Sequence, residues 1–171
     1  MTLYSGSFSG AIPFVGVPAS GVAQVETAVI VGTITLTGDA TFTVTSAVVT
    51  GSPLAVSVPV VNGDTATVVA TKAALVMNNT PAVGNAFVVT SSGANLIFTA
   101  IKSAATDATL NVAYTNGTCT GLTPDATSDD TTGGTLGDFR GADTGTFTYD
   151  VTNKKIYKNT GTPGVPIWTV Q

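Results

Sequence analysis

The sequence predicts an α+β fold dominated by β-strands: an antiparallel, sandwich-like sheet domain with one helix, an extended N-terminal arm and a C-terminal β-hairpin. Three observations support this prediction. Thr and Val recur throughout the chain, and both are β-branched residues that favour strands. The 19 Gly and 8 Pro residues divide the apolar runs into short pieces, as many strands and turns require. Only residues 65–78 repeat apolar side chains with the period of a helix.

Period-two alternation locates the strands that precede the helix. Residues 33–37 and 41–45 each alternate polar and apolar side chains, and Gly38 begins a turn signal between them. We therefore predict that these two strands form a hairpin. A third strand over 54–61 contains Pro59, which indicates an edge strand or an early strand end because proline cannot donate a ladder hydrogen bond.

The predicted helix over 65–78 places Val69, Ala73 and Val76 on one face, at i, i+4 and i+7. Its first turn is expected to be capped by an oxygen of Asp64 or Thr65.

Strands resume after the helix, which gives the order β-β-β-α-β-β-β. The strand over 96–101 is apolar on both faces, so we predict that it is central in its sheet. The strand that begins at Leu110 places alternate apolar side chains on one face. These strands cover residues 87–90, 96–101 and 110–114.

Four segments are predicted along the chain. Residues 1–22 form an extended N-terminal arm that either lies across a neighbouring subunit or packs back on its own domain. Residues 23–118 form the main β-rich domain. Residues 119–143 lack periodicity and predict a flexible linker. Residues 144–171 form a C-terminal β-hairpin module, which is too small to be stable alone and must dock on the main domain or on another chain.

The C-terminal module alternates over 147–151, turns at Thr152 and Asn153, and returns over 155–157 before a last strand over 166–170. Aromatic residues here and in the arm are the candidate partner-binding residues, although core packing is the more frequent use of such side chains. Because Tyr149 and Tyr157 lie in one hairpin, they are candidates for a cross-strand pair. The candidates are Tyr4, Phe8, Phe14, Tyr149, Tyr157 and Trp168.

The composition argues against catalysis and against nucleic-acid binding. The chain has no His and one Cys, so Ser-His-Asp and Cys-His machinery and an internal disulfide are excluded. A net charge of −4 with six basic residues does not suit a nucleic-acid surface. We therefore expect no enzyme activity, no cofactor and no nucleic-acid partner.

Membrane and metal signals are weak. No apolar run reaches the ~18 residues of a membrane span, so no membrane partner is expected. Asp125, Asp129 and Asp130 are of the ligand type that Ca²⁺ prefers, but their spacing fits no ligand loop. A solvated loop is the favoured interpretation, no metal site is predicted, and cation binding by these three residues stays open.

Several segments resemble a domain that recurs in structural proteins of tailed phages. The resemblance lies in residues 32–45, 50–60, 63–66, 105–112 and 116–121. A further stretch, Gly145–Thr162 followed by Ile167–Val170, resembles the terminal hairpin module of phage head fibres, decoration proteins and tail fibres. Together these segments cover 65 of the 171 residues, spread between residue 32 and residue 170.

The resemblance implies assembly rather than catalysis. It implies a capsid decoration or cement protein that binds and stabilises the head shell, located in the virion after assembly in the host bacterial cytoplasm. The implied partners are other virion subunits, above all the major capsid protein, and further copies of the chain, with a trimer favoured. The absence of heptads and collagen repeats from the sequence disfavours a head-fibre shaft. A tail-tube or other tail subunit and a surface glycan-binding or adhesin-like module remain alternatives.

Overall fold

The computed structural model describes residues 11–171, with side chains from Phe14 onward. Over these residues the chain has an α+β fold dominated by strands, as predicted. It divides into two compact units. The larger unit is Ala23–Thr135, and the C-terminal unit combines residues 11–22 with Leu136–Gln171.

The larger unit contains nine strands and two helices in the described chain. Its elements are β2 (Val25–Val29), β3 (Gly32–Leu36), β4 (Gly38–Thr45), β5 (Leu54–Val60), α1 (Ala66–Asn78), α2 (Pro81–Gly84), β6 (Phe87–Ser92), β7 (Asn95–Ala100), β8 (Asn111–Thr115), β9 (Thr120–Leu122) and β10 (Asp129–Thr132). The C-terminal unit has four strands, namely β1 (Ala11–Phe14), β11 (Phe147–Asp150), β12 (Lys155–Asn159) and β13 (Trp168–Val170).

Three antiparallel sheets form the larger unit, with strand orders β10-β2-β7-β6, β5-β4-β8 and β3-β9. β5 is an edge strand, which confirms the inference from Pro59. β7 is an interior strand, which confirms the inference from its two apolar faces. β2 was not predicted, although its buried residues Glu26 and Ala28 alternate with more exposed ones.

The predicted hairpin between residues 33–37 and 41–45 is wrong. β3 pairs with β9, while β4 pairs with β5 and β8. The reason is a close backbone approach, since a Cβ on Gly38 would lie 2.7 Å from the backbone of Thr118 and Cys119. Gly38 therefore allows the 118–122 segment to pack closely, and it does not mark a two-residue turn.

Helix α1 packs its buried face against the strands. Val69 and Ala73 are buried as predicted, and Val76 is partly buried against the same core. The expected cap is wrong, because no side chain hydrogen-bonds the N-terminus of α1. The Asp64 carboxylate instead accepts the Val61 amide at 2.8 Å and pairs with Lys72, so it closes the turn that precedes the helix.

The flexible linker predicted over 119–143 is contradicted by β9 and β10, which pair with β3 and β2. The segment before β10 is also held in place, because Tyr114 and Asp125 exchange two backbone hydrogen bonds of 2.8 and 3.1 Å. All four residues of β10 are exposed. No apolar alternation marks this strand, because hydrogen bonds rather than apolar burial hold it.

Part of the predicted N-terminal arm is ordinary sheet structure. β1 pairs in parallel with β11, so the four residues from Ala11 to Phe14 add an edge strand to the C-terminal hairpin of the same chain. The amide of Val151 then donates to the carbonyl of Phe14 at 2.9 Å. Tyr4 and Phe8 lie outside the described residues.

Candidate assembly interface

The C-terminal unit is built on one four-stranded sheet, in the order β1-β11-β12-β13. Its register places Phe147 opposite Lys158 and Tyr149 opposite Ile156. Because residues that face each other across a ladder share one side of the sheet, these four side chains lie on the same face. We call this set, Phe147, Tyr149, Ile156 and Lys158, the outer face.

The opposite face of the sheet is buried at its centre. Tyr157, Thr148 and Trp168 lie there, with Trp168 only 8% exposed. The Phe139 ring packs edge-to-face against both Phe14 and Trp168, with ring centroids 5.1 and 5.8 Å apart. The Trp168 indole N–H donates to the carbonyl of Asp138 at 3.1 Å. These contacts form the aromatic core of the C-terminal unit.

Two buried polar side chains fix the ends of the strands in this unit. Asp150 accepts hydrogen bonds from the backbone amides of Gly16, Thr152 and Asn153 and from the Asn153 side chain. Burial raises the pKa of Asp150, but these hydrogen bonds outweigh it and hold the pKa below its ordinary value. Asn159 accepts the amides of Gly161 and Ile167, each at 3.0 Å. The hairpin is thereby stabilised by its own polar contacts as well as by its aromatic core.

The outer face is an apolar surface beside a cation. Phe147 is 41% exposed and Ile156 is 39% exposed, while Tyr149 and Lys158 are half-buried. The Lys158 ammonium lies 6.0 Å from the centre of the Phe147 ring. Phe147 and Ile156 therefore form an exposed apolar pair beside a cation.

Charge is distributed unequally between the two units. The C-terminal unit holds four of the six basic residues and three acidic ones, which gives it a net charge of +1. The larger unit has two basic and seven acidic residues and a net charge of −5. Lys154, Lys155 and Lys158 belong to the same hairpin as the outer face.

The structure separates the aromatic residues that were predicted to bind a partner. Of the four candidates that lie in the described residues, Phe14 and Trp168 belong to the aromatic core, Tyr157 is buried, and Tyr149 lies on the outer face. The suggested pairing of Tyr149 with Tyr157 is wrong, because the register places them on opposite faces of the sheet. Trp168 is not available to stack on a glycan, since its ring packs against Phe139 and it is 8% exposed.

Two apolar outer-face residues, Phe147 and Ile156, were missed in the prediction, as was Lys158. Phe147 was detectable, because it begins the alternating run and stands two positions before Tyr149, on the same face. Ile156 could be assigned to the outer face only once the register of the hairpin was known. That register is set by a four-residue connection in which Lys154 adopts a left-handed φ of 57°, whereas the predicted turn had two residues.

Within residues 11–171, no group of three or more Asp, Glu, Cys or His side chains is placed to hold a metal ion. Over the same residues, neither helix is long and apolar enough to cross a membrane. No protein-family model matches the sequence, and no curated protein matches it.

Proposed function

We propose that this chain is a structural, non-enzymatic component of a phage virion, and more narrowly a capsid decoration or cement protein that binds and stabilises the head shell. The observation that carries the proposal is the outer face, which presents apolar side chains from a small, hydrogen-bonded sheet. The resemblance of Gly145–Thr162 and Ile167–Val170 to phage hairpin modules supports the same assignment.

The outer face suits contact with another protein because it is apolar at its centre and has few charges to desolvate. Its one cation, Lys158, lies beside the Phe147 ring, as in interfaces with an apolar core and a polar rim. Completing the burial of Phe147 and Ile156 would stabilise a contact by about 2 kcal/mol, since full burial of such a side chain is worth roughly 1.5–3 kcal/mol and each is already partly covered.

In this proposal the partners are other virion subunits, above all the major capsid protein, and further copies of the chain, with a trimer favoured. The chain would join the virion after synthesis in the host bacterial cytoplasm. Neither a nucleic acid nor a membrane is a proposed partner.

The test is binding of the purified chain to empty heads of the phage that encodes it, measured as occupancy after sedimentation. The variant Phe147→Thr/Ile156→Thr keeps residues that favour strands while removing the apolar side chains. We expect it to bind about thirty-fold more weakly, which corresponds to the lost 2 kcal/mol of contact. Val88→Thr is the matched control, because Val88 is an exposed apolar residue of strand β6 in the larger unit.

The two variants give different results under the competing explanations. Equal weakening by Val88→Thr would indicate a general loss of surface hydrophobicity. Full occupancy of the outer-face variant would refute the outer face as the contact.

Tail-tube assembly is the alternative that the charge distribution favours, because the larger unit carries a net charge of −5 and a tube lumen can be acidic. Light scattering and negative-stain microscopy of the purified chain distinguish the two. Small discrete oligomers agree with a decoration protein, whereas rods or stacked rings agree with a tube subunit.

A further inference from the structure

Glu26 is the only glutamate of the sequence, and it is buried in β2 with 1% of its surface exposed. Its neighbours in the sheet are Phe98 of β7 on one side and Asp130 of β10 on the other. Its Oε1 accepts a hydrogen bond from the Ser128 hydroxyl, and its Oε2 has no hydrogen-bond partner in the described part of the chain. A buried carboxylate normally needs more donors or a cation, so this environment suits the ionised form poorly.

Ser128 lies at the centre of a segment that connects two sheets. Its hydroxyl oxygen accepts the amide of Val112 at 2.8 Å, and its own amide donates to Asn111 Oδ1 at 3.0 Å, so this serine is tied to β8. The residues that follow form β10 and pair with β2. We call residues 125–132 the edge segment, because they bridge β8 and β2 and end in an exposed edge strand.

The neutral form of Glu26 fits the hydrogen-bond geometry better than the ionised form. A proton on Oε1 lets Glu26 donate to the Ser128 hydroxyl oxygen, and the serine hydrogen can then turn to Asn111 Oδ1, which lies 3.4 Å away. Oε2 is then an uncharged carbonyl oxygen, which costs less to leave unpaired in the interior than a carboxylate oxygen does.

The charged groups around Glu26 act in the same direction. Burial raises the pKa of Glu26, the hydrogen bond from Ser128 lowers it, and the negative charges of Asp130 and Asp129 raise it further. β7 contributes no titratable group. β8 contributes Tyr114, whose phenol donates to the carbonyl of Val29 at 3.0 Å and whose pKa is raised by burial. Asp125 precedes Ser128 in the edge segment and adds a third carboxyl group there.

We propose that Glu26 is a pH-responsive clasp, whose neutral carboxyl group holds the edge segment across β2 and β8 and whose ionisation releases it. Release would remove β10 from the sheet and leave unpaired the edge of β2 that faces away from β7, which is the kind of edge that accepts a strand from another molecule. This inference rests on the larger unit alone and does not depend on the proposed virion role.

The direction of the pH dependence follows from proton linkage. In the closed state Glu26 holds its proton more tightly than in the open state, where water reaches the carboxyl group. The equilibrium constant for release of the edge segment therefore rises with pH. The rise is up to about tenfold per pH unit between the pKa of Glu26 in the open state and its pKa in the closed state, and the constant is level above both.

Amide hydrogen exchange from pH 4 to 8, corrected for intrinsic exchange rates, tests the clasp. The reporters are the amides of Val112 and Ser128, and the Val89 amide, which donates to Asn78 Oδ1 at 2.9 Å, is the internal reference. In the natural protein we expect the protection of both reporters to fall about tenfold or more as the pH rises, while that of Val89 stays constant. In Glu26→Gln, protection should stay high at every pH.

Asp39→Asn is the matched control, since it removes a carboxyl group from β4 of the same unit and should keep the natural profile. A profile that does not change with pH in the natural protein, or a pH dependence that persists in Glu26→Gln, would overturn the proposal.

A direct titration covers the case in which a variant fails to fold. With glutamate labelled at the side-chain carboxyl carbon, Glu26 gives the only glutamate carboxyl signal, because the sequence has no other glutamate. A midpoint above the ordinary glutamate range is expected. A midpoint within or below that range would contradict the clasp.

Discussion

A substitution at Phe139 tests whether the aromatic core, rather than the outer face, stabilises the C-terminal unit. Phe139→Ala deletes two edge-to-face contacts, to Phe14 and Trp168. Such pairs are worth about 0.5–1.5 kcal/mol each beyond their burial, and loss of a partly buried ring adds a share of the roughly 3–5 kcal/mol measured for full deletions. We expect a loss of about 2–4 kcal/mol in the free energy of unfolding of this unit.

The backbone at Phe139 makes the prediction more specific. Phe139 has a left-handed φ of 54°, a conformation that costs an ordinary L-residue about 1–2 kcal/mol and glycine almost nothing. Phe139→Gly should therefore be less destabilising than Phe139→Ala by about 1 kcal/mol, the reverse of the usual order of the two substitutions.

The assay is urea unfolding followed by the fluorescence of Trp168, the single tryptophan, which lies in the C-terminal unit. The matched control is Phe147→Ala, which removes a phenylalanine that is 41% exposed on the outer face and should cost about 1–2 kcal/mol, less than Phe139→Ala. If Phe139→Ala cost no more than Phe147→Ala, the distinction between the aromatic core and the outer face would be refuted.

Two further predictions concern the larger unit. Asp107 accepts hydrogen bonds from Ser46, Ala47 and Thr109. Burial raises the pKa of Asp107, but these hydrogen bonds outweigh it and hold the pKa below its ordinary value. Its stabilising contribution is therefore present at neutral pH and lost as the pH falls through the folded-state pKa. Asp107→Asn should flatten the acid side of the stability profile measured by urea unfolding, and an unchanged acid side would contradict this. Tyr114→Phe removes a hydroxyl that bonds the backbone of Val29 and Val31, and a loss of about 1–3 kcal/mol is expected in the same assay; no loss would show that water replaces it.

Local patterns predicted the elements whose stability comes from apolar burial. Residues of β4, β5 and β8 alternate because one face of each strand is buried, and α1 was located by its apolar stripe. The position of β7 inside its sheet followed from its two apolar faces.

Strand pairings between backbone segments that are far apart in the sequence were not predicted. The pairing of β3 with β9 requires that the chain approach closely at glycines, and a Cβ on Gly121 would lie 2.1 Å from the carbonyl oxygen of Thr33. β10 has no buried face, so its hydrogen bonds to β2 leave no hydrophobic period in the sequence.

The candidate interface was predictable only in part. The C-terminal alternation indicated a hairpin with aromatic residues, but which of them face outward depends on the register, and a shift of one residue reverses the faces. Phe139 could not be identified as a core residue from the sequence pattern. It stands in a non-periodic segment, and it packs against Phe14 and Trp168, which are far away in the chain. Tertiary packing, rather than any local pattern, therefore decides which aromatic residues are available to a partner.

The most direct test of the proposed virion role is the location of the chain in purified phage particles, by quantitative mass spectrometry of heads and tails followed by electron cryomicroscopy of the heads. We expect the chain in stoichiometric amounts on heads, with the outer face buried against shell subunits. Absence of the chain from particles, or its recovery with tails alone, would contradict the proposal.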